Sequence, residues 1–372
     1  MASRVPKLLF FGLLAPVALG VAGWQGWAWW SWATAPIAEA ATLPTSPSAE
    51  EDTLAATATS TVQIQIPEGT PGQQIGRDLE VAGLIRSHVA WDLWSRWQAF
   101  RTEGGYQAGT YALSPTQSLQ EIAGQIWTGD VVQTSFTIPE GWTRSQIAAA
   151  FEERGFFSAE AFLAATEQIP VDRYPWLPSN LPHLEGYLYP DTYQLPAATV
   201  TPEAIVDMML GRFESVALPV YQQTDSRFSL QEWVTLASIV EREAVISDER
   251  SEIAAVFNRR LEESIPLGAD PTVEYGLGVT QTPESPLTLA QVRTPSPYNT
   301  YINAGLPPTA IASPGLASLE ASLNPPETNY LYFVARYDGT HVFSRTLAEH
   351  EAAQARIRDA VEAEQRNVSP EG

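Results

Sequence analysis

The chain of 372 residues contains no cysteine and only one lysine, Lys7. Without cysteine there is no disulfide, no thiol nucleophile and no thiolate-bound zinc. Lys7 sits at the edge of a hydrophobic segment, so it cannot form a Schiff base with pyridoxal phosphate in a folded site. Histidine is scarce as well: His88, His183, His341 and His350 are the only four. That is too few for a dense imidazole metal centre, so no metal and no cofactor are expected. Positive charge is the last shortage. A formal net charge of −22 repels phosphate backbones and excludes nucleic acid as a partner.

What remains is a chain with 44% hydrophobic and 10% aromatic residues, enough to fill real cores and too ordered in composition for wholesale disorder. Its length suits an anchor followed by two folded units. Residues 8–30 carry no charge, follow Arg4 and Lys7, and end in a cluster of tryptophans, Trp24, Trp27, Trp29, Trp30 and Trp32. This pattern predicts a membrane span with a short cytoplasmic tail, 1–7, and with the rest of the chain outside. A cleaved signal peptide is the alternative, but its apolar core would be shorter. Residues 31–60, rich in Ala, Thr, Ser and Pro, read as a flexible linker.

Beyond Thr61 the patterning becomes regular. Strands are predicted at Val62–Ile66, Gly109–Leu113, Val131–Ile138 and Tyr330–Ala335. Helices are predicted up to about Trp97, over Ser118–Trp127, Pro202–Phe213 and Leu230–Leu261, and over Ser313–Ser322. An internal repeat shifted by 72 residues relates Ile66-Pro-Glu-Gly69, Gln74-Ile75, Glu80 and Gly83 to Ile138-Pro-Glu-Gly141, Gln146-Ile147, Glu152 and Gly155. It reads as strand, tight turn, and helix ended by glycine. The fold class expected is α+β, with a small module at 61–135, a larger mixed domain at 136–360 and a disordered tail at 361–372.

One helix carries the candidate chemistry. Over Ala237-Ser-Ile-Val-Glu-Arg-Glu243, about 100° per residue places Glu243 in an apolar arc between Leu236 and Ile239, and Glu241 on the opposite, more polar flank. An apolar setting raises a carboxyl pKa, as a general acid at neutral pH requires. The plain alternative is that both glutamates are surface partners of Arg242 and Arg250.

Four further motifs accompany this one in order: Leu184-Glu-Gly-Tyr-Leu-Tyr-Pro-Asp-Thr-Tyr193; Asp270-Pro-Thr-Val-Glu-Tyr-Gly276; Ser296-Pro-Tyr-Asn-Thr-Tyr301 with Gly305-Leu-Pro-Pro308; and Tyr330-Leu-Tyr-Phe-Val334 with His341-Val-Phe-Ser344. Together the five resemble the YceG-like family of endolytic murein transglycosylases, from about Thr61 to Gln354. The resemblance implies cleavage of the β-1,4 bond between N-acetylmuramic acid and N-acetylglucosamine without water, leaving a 1,6-anhydro end, as a terminase of glycan polymerisation. It implies a LysM-like small module, a place on the outer side of the bacterial cytoplasmic membrane, and peptidoglycan synthases as partners. It also assigns the acid to Glu243. Glu185, Asp191, Asp270, Thr272, Tyr275, Tyr298, Asn299 and Tyr301 are the implied substrate-binding residues. The alternatives are a Pro-Asp-Thr turn for Asp191, capping of the following segment for Asp270 and Thr272, packing for Tyr275 and a structural role for Tyr298 and Asn299; His341 reads as a hydrogen-bonded structural residue rather than a catalyst. Arg259 stands where the family has Asn, and Gly268-Ala269 replace a polar pair. A rival reading is an inactive wall-binding scaffold.

Overall fold

The computed structural model describes residues 15–38, 61–196, 200–282, 285–336 and 338–368. The chain divides into two compact units, residues 1–134 with 194–199 and residues 135–193 with 200–372.

The first unit begins with α1, Ala15–Thr34. Among the described residues no helix is long and apolar enough to cross a membrane; residues 8–14 of the predicted span lie outside them. The helix runs four residues past the predicted end of the span, so the linker does not start at Ser31. Ala33 is fully buried and Trp30 packs on the core of the unit. The Ile37 and Ala38 amides both donate to the Pro115 carbonyl at 2.9 Å. Arg86 clamps this exit by donating to the Pro36 carbonyl and lying over the Trp32 ring. Residues 39–60 of the predicted linker lie outside the described residues.

A β-α-α-β frame follows. Strand β1, Val62–Ile66, pairs antiparallel with β2, Gly109–Leu113, in a register that sets Ile64 against Tyr111. Between them come α2, Gly72–Val81, and α3, His88–Arg101. Helix α4, Leu119–Thr128, closes the core with a reciprocal cap, in which Ser118 accepts from the Glu121 amide and Glu121 accepts from the Ser118 amide.

The frame recurs, largely within the second unit. Strand β3, Gln133–Thr137, leads to α5, Arg144–Glu153, and α6, Ala159–Thr166, and the chain returns on β4, Thr192–Pro196. The Thr137 and Thr192 hydroxyls meet at 2.9 Å. The turn glycines match across the repeat, with φ of 76° at Gly69 and 75° at Gly141. So do the buried faces, Ile75 and Leu79 in one copy, Ile147 and Phe151 in the other.

The rest of this unit is largely helical: α7, Pro202–Val216; α8, Leu218–Gln222; α9, Leu230–Glu243; α10, Arg250–Glu262; α11, Asp270–Leu277; α12, Leu289–Val292; and α13, Leu316–Leu323. The hairpin β5, Tyr332–Ala335, with β6, His341–Ser344, and the C-terminal α14, Leu347–Val368, complete it. Helix α9 is the central element. Ser229 and Glu232 cap its start reciprocally, and every residue from Trp233 to Val240 is buried. Trp233 stacks on Tyr221 at 5.1 Å and donates to the Leu319 carbonyl of α13. The predicted continuous helix to Leu261 is broken. Ala244 turns extended with ψ of 106°, and Ser247–Glu249 form a 3-10 turn before α10.

Gly186 marks how closely the backbone approaches α9. Its φ is +86°, and an added Cβ would lie 2.4 Å from Ala310 Cβ and 2.7 Å from Val234 Cγ1. Gly186→Ala therefore combines a left-handed backbone with overpacking, and should destabilise the protein by about 2–4 kcal/mol. Urea denaturation would show this as a lower midpoint with an unchanged slope.

Candidate functional site

Glu243 is the last residue of α9, where the helix leaves its packed surroundings. The residue is half-buried, and its carboxyl forms no hydrogen bond or ion pair with any of the described residues. Burial pushes its pKa up to about 8; the nearby charges of Asp270 and Glu274 push the same way, and Arg242 and Arg260 oppose them. The carbonyl end of the helix adds negative potential, which further disfavours an ionised carboxylate. A protonated, unpartnered carboxyl at neutral pH is the state in which a general acid is useful.

Glu241, two residues earlier, points elsewhere. Its side chain is 8% exposed and lies 3.8 Å from Arg250. It accepts from the Gly315 amide at the start of α13 at 3.0 Å. Glu140, from the second copy of the repeated turn, comes to the same place. An added Cβ on Gly315 would strike its carboxyl at 2.1 Å. Burial raises the Glu140 pKa, and the charge of Glu241 raises it further. Glu241 and Glu140 thus join the repeated frame to α13, while Glu243 stays free.

Helix α11 sets the acidic neighbours of Glu243. Its first residue, Asp270, accepts from the Tyr301 hydroxyl at 2.6 Å. Tyr301 is 40% exposed, which leaves a ring face open. Glu274, one turn on, lies 3.4 Å from Arg242 and accepts from the Gln281 amide at 2.7 Å. Arg242 also donates to the Gly141 carbonyl. Tyr275 packs against Tyr298 with ring centres 4.8 Å apart.

Arg260 is the site residue that sequence reasoning missed. Its guanidinium donates to the carbonyls of Leu331, Pro266 and Leu267 and lies 5.1 Å from the Tyr332 ring. It has no carboxylate partner among the described residues, so its charge acts on Glu243 and Tyr301. The clue was its place directly after Arg259, in a helix whose other face is apolar. Gly268, with φ of +59°, leaves room for this group, since an added Cβ would touch Arg260 and Tyr301 at 3.5 Å.

Several predicted contact residues have other tasks. Asn299 is fully buried; its amide donates to the Val292 and Thr294 carbonyls, and its oxygen accepts from the Tyr301 amide. It pins the loop before it and is closed to a sugar. Thr272 is likewise fully buried, bonded to the Ala269 carbonyl and the Thr300 hydroxyl. Asp191 follows the turn alternative, accepting from the Thr192 amide and pairing with Arg212 at 2.5 Å. The Tyr298 hydroxyl is bonded to that of Thr309. His341 is buried against Glu249 at 2.7 Å. Arg259 donates to the Thr328 carbonyl and pairs with Glu263, away from Glu243.

Glu185 is buried, 1% exposed. Its carboxylate accepts from the Arg144 amide at the start of α5 at 2.9 Å and from the Tyr275 hydroxyl at 3.0 Å. It thereby links the repeated frame to α11. Two cavities of about 530 and 660 Å³ lie elsewhere, one along Phe228, Leu261 and Pro308, the other along Asn258, Asn329 and Arg345. Neither is lined by Glu243.

Residues 64–356 match the model of the YceG-like family. The chain is 32% identical over 309 residues to the endolytic murein transglycosylase of Bacillus subtilis, covering 79% of this chain and 84% of that protein. It is 32% identical to the endolytic murein transglycosylase of Streptococcus pneumoniae serotype 2, covering 78% of this chain and 58% of that protein. A crystal structure of a yceG-like protein from Listeria monocytogenes superposes with a TM-score of 0.53 at 31% identity, covering 79% of this chain and 99% of that one.

Burial pushes the Glu185 pKa from 4.5 up to about 7, against the lowering effect of the two donors. A carboxyl raised on folding contributes its full stability below its ordinary pKa and loses it as the pH rises through the folded value. Glu185 should therefore withdraw on the order of 3 kcal/mol between pH 4.5 and pH 7. Glutamine can keep both contacts, accepting from the Arg144 amide and donating to the Tyr275 oxygen. Urea unfolding at pH 5 and pH 8 should show a smaller loss of stability with rising pH in Glu185→Gln than in the unsubstituted protein.

Proposed function

The chain belongs to the YceG-like family, and on that footing we propose that it is an endolytic murein transglycosylase, a lyase that cuts peptidoglycan glycan strands, with Glu243 as its acid. The observation that carries this reading is a carboxyl with its pKa near 8 and no partner among the described residues, at the end of a helix that cannot shift.

The chemistry follows from that state. Protonated Glu243 gives its proton to the bridging oxygen between N-acetylmuramic acid and N-acetylglucosamine as the C1–O bond breaks. The carboxylate left behind takes the proton of the muramic 6-hydroxyl as O6 closes on C1, giving the 1,6-anhydro end. One carboxyl serves both steps because the nucleophile belongs to the same sugar, and proximity replaces a bound water. The two-carboxylate arrangement of most glycosidases is not required. Asp270 and Glu274 favour the cationic sugar as it develops, while Arg242 and Arg260 keep the transient carboxylate from being too costly. The half-exposed Tyr301 ring offers a stacking surface for sugar beside the acid.

Residues 8–30 serve in this reading as a single-pass anchor that holds the enzyme on the outer face of the cytoplasmic membrane, close to new strands and to peptidoglycan synthases. The first β-α-α-β frame is the LysM-like module. Nothing in the mechanism calls for a cofactor or a metal.

Glu243→Gln should lower the release of anhydro-ended fragments from purified sacculi by at least about 100-fold, the scale of general acid catalysis, and leave the unfolding midpoint near that of the unsubstituted protein. Activity should fall as the pH rises through about 8, because the acid form is lost there. Mass spectrometry of the fragments checks the reaction type, since hydrolysis products would be heavier by one water. Hydrolysed ends, or undiminished release by Glu243→Gln, would refute the proposal.

A further inference from the structure

The first unit leaves an unusual surface on α3. Val89, Leu93, Trp97 and Phe100 are 48%, 47%, 51% and 92% exposed. Their spacing of four, four and three residues puts all of them within about 80° of one helix face. The core side of the same helix, Ala90, Trp91 and Trp94, is filled separately, so the stripe is not needed for packing the unit. Contiguous exposed apolar surface of this kind marks an interaction site.

Two observations identify what covers it. First, α1 is apolar all round and exposed along most of its length, with Leu19, Trp24, Trp27 and Trp32 between 51% and 73% exposed. A helix of that character in water is unstable unless lipid or protein surrounds it. Its far end is fixed to this same unit: Ala33 enters the core, α1 packs on α3 and α4, and Arg86 holds Pro36 and Trp32. The apolar stripe and the tryptophan-rich helix therefore belong to one rigid piece, not to two ends of a tether. Second, the charge beside the stripe has the sign that suits an anionic headgroup layer. In a chain with net charge −22, α3 carries Arg96 and Arg101 against Asp92 alone. Arg101 lies 4.6 Å from the Trp97 ring, with an apolar stem along the aromatic and a charged tip free to reach phosphate.

We propose that α3 is a membrane-surface helix: its Val89–Leu93–Trp97–Phe100 face lies in the headgroup and upper acyl region of a lipid bilayer, next to the point where α1 leaves it. The small module then sits on the lipid rather than hanging from a flexible tether. The partner is the lipid surface itself, bound through apolar burial and arginine–phosphate contact.

The absence of cysteine makes the test direct. Phe100→Cys and Leu93→Cys, and Gln73→Cys on the exposed face of α2 as a reference, are made in the full chain and labelled with a nitroxide. The proteins are reconstituted into vesicles of phosphatidylethanolamine and phosphatidylglycerol. Collision with a water-soluble nickel complex should be several-fold lower at positions 93 and 100 than at 73, and collision with oxygen higher. Nickel access at 93 and 100 equal to that at 73 overturns the proposal. Protection that disappears when the chain is diluted to a single copy per vesicle also overturns it, and assigns the face to a second copy. Trp27→Cys, labelled in the same way, separates this inference from the anchor: a buried label at 27 with an exposed one at 100 refutes the surface helix alone, and exposure at both refutes the two together.

Discussion

The arrangement depends on one constraint: α9 is buried on every side from Trp233 to Val240 and ends at Glu243. A helix half inside and half outside the core could rotate or slide at modest cost. This one cannot, because Trp233 is locked by a ring stack and by a hydrogen bond into α13, and eight consecutive buried residues allow no change of register. The carboxyl that follows is placed by the packing of the helix before it, which frees the residue itself from any contact that would hold it ionised. Leaving a carboxyl without partners while fixing its position is difficult on a loop and simple at the end of such a helix.

The charges around that end have two effects. Asp270 and Glu274 raise the Glu243 pKa, and in the proposed reaction they would also lower the energy of a positive centre formed beside it. Arg242 and Arg260 limit the rise. Each is kept in place by contacts unrelated to Glu243: Asp270 by Tyr301, Glu274 by the Gln281 amide, and Arg260 by three carbonyls. The field at the carboxyl is therefore set by the fold itself, as electrostatic preorganisation would require in the proposed reaction.

The separation of the two glutamates was legible in sequence because a 100° step per residue puts Glu241 and Glu243 on different flanks whatever the surrounding fold. The same periodicity, carried on through Ala244 and Ile246, predicted a longer helix, and it failed where ψ at Ala244 becomes extended. No glycine or proline announces that break. At Asn299 and Thr272 the motifs alone could not separate a ligand contact from a structural tie; both side chains are buried and bonded within the protein, and no local pattern shows that burial. Arg260 was invisible for a related reason. Its role comes from carbonyls of residues 266, 267 and 331, and no local pattern brings those together.

The internal repeat shows how a shared frame can acquire different surfaces. Shifted by 72 residues, α3 corresponds to α6, yet α3 spans His88–Arg101 and α6 only Ala159–Thr166. The counterparts of Trp97 and Phe100 are Ile169 and Asp172, which fall beyond the end of α6 around Pro170. Proline cannot continue the helix, so the second copy has no room for such a stripe. In the first copy the helix continues for about two more turns, and two of the four exposed apolar residues lie on that extension. The frame needs only Ala90, Trp91 and Trp94 for its core. Within the unit the added length contributes the Ser95 hydroxyl, which bonds that of Tyr106; the Trp97 and Phe100 side chains stay exposed.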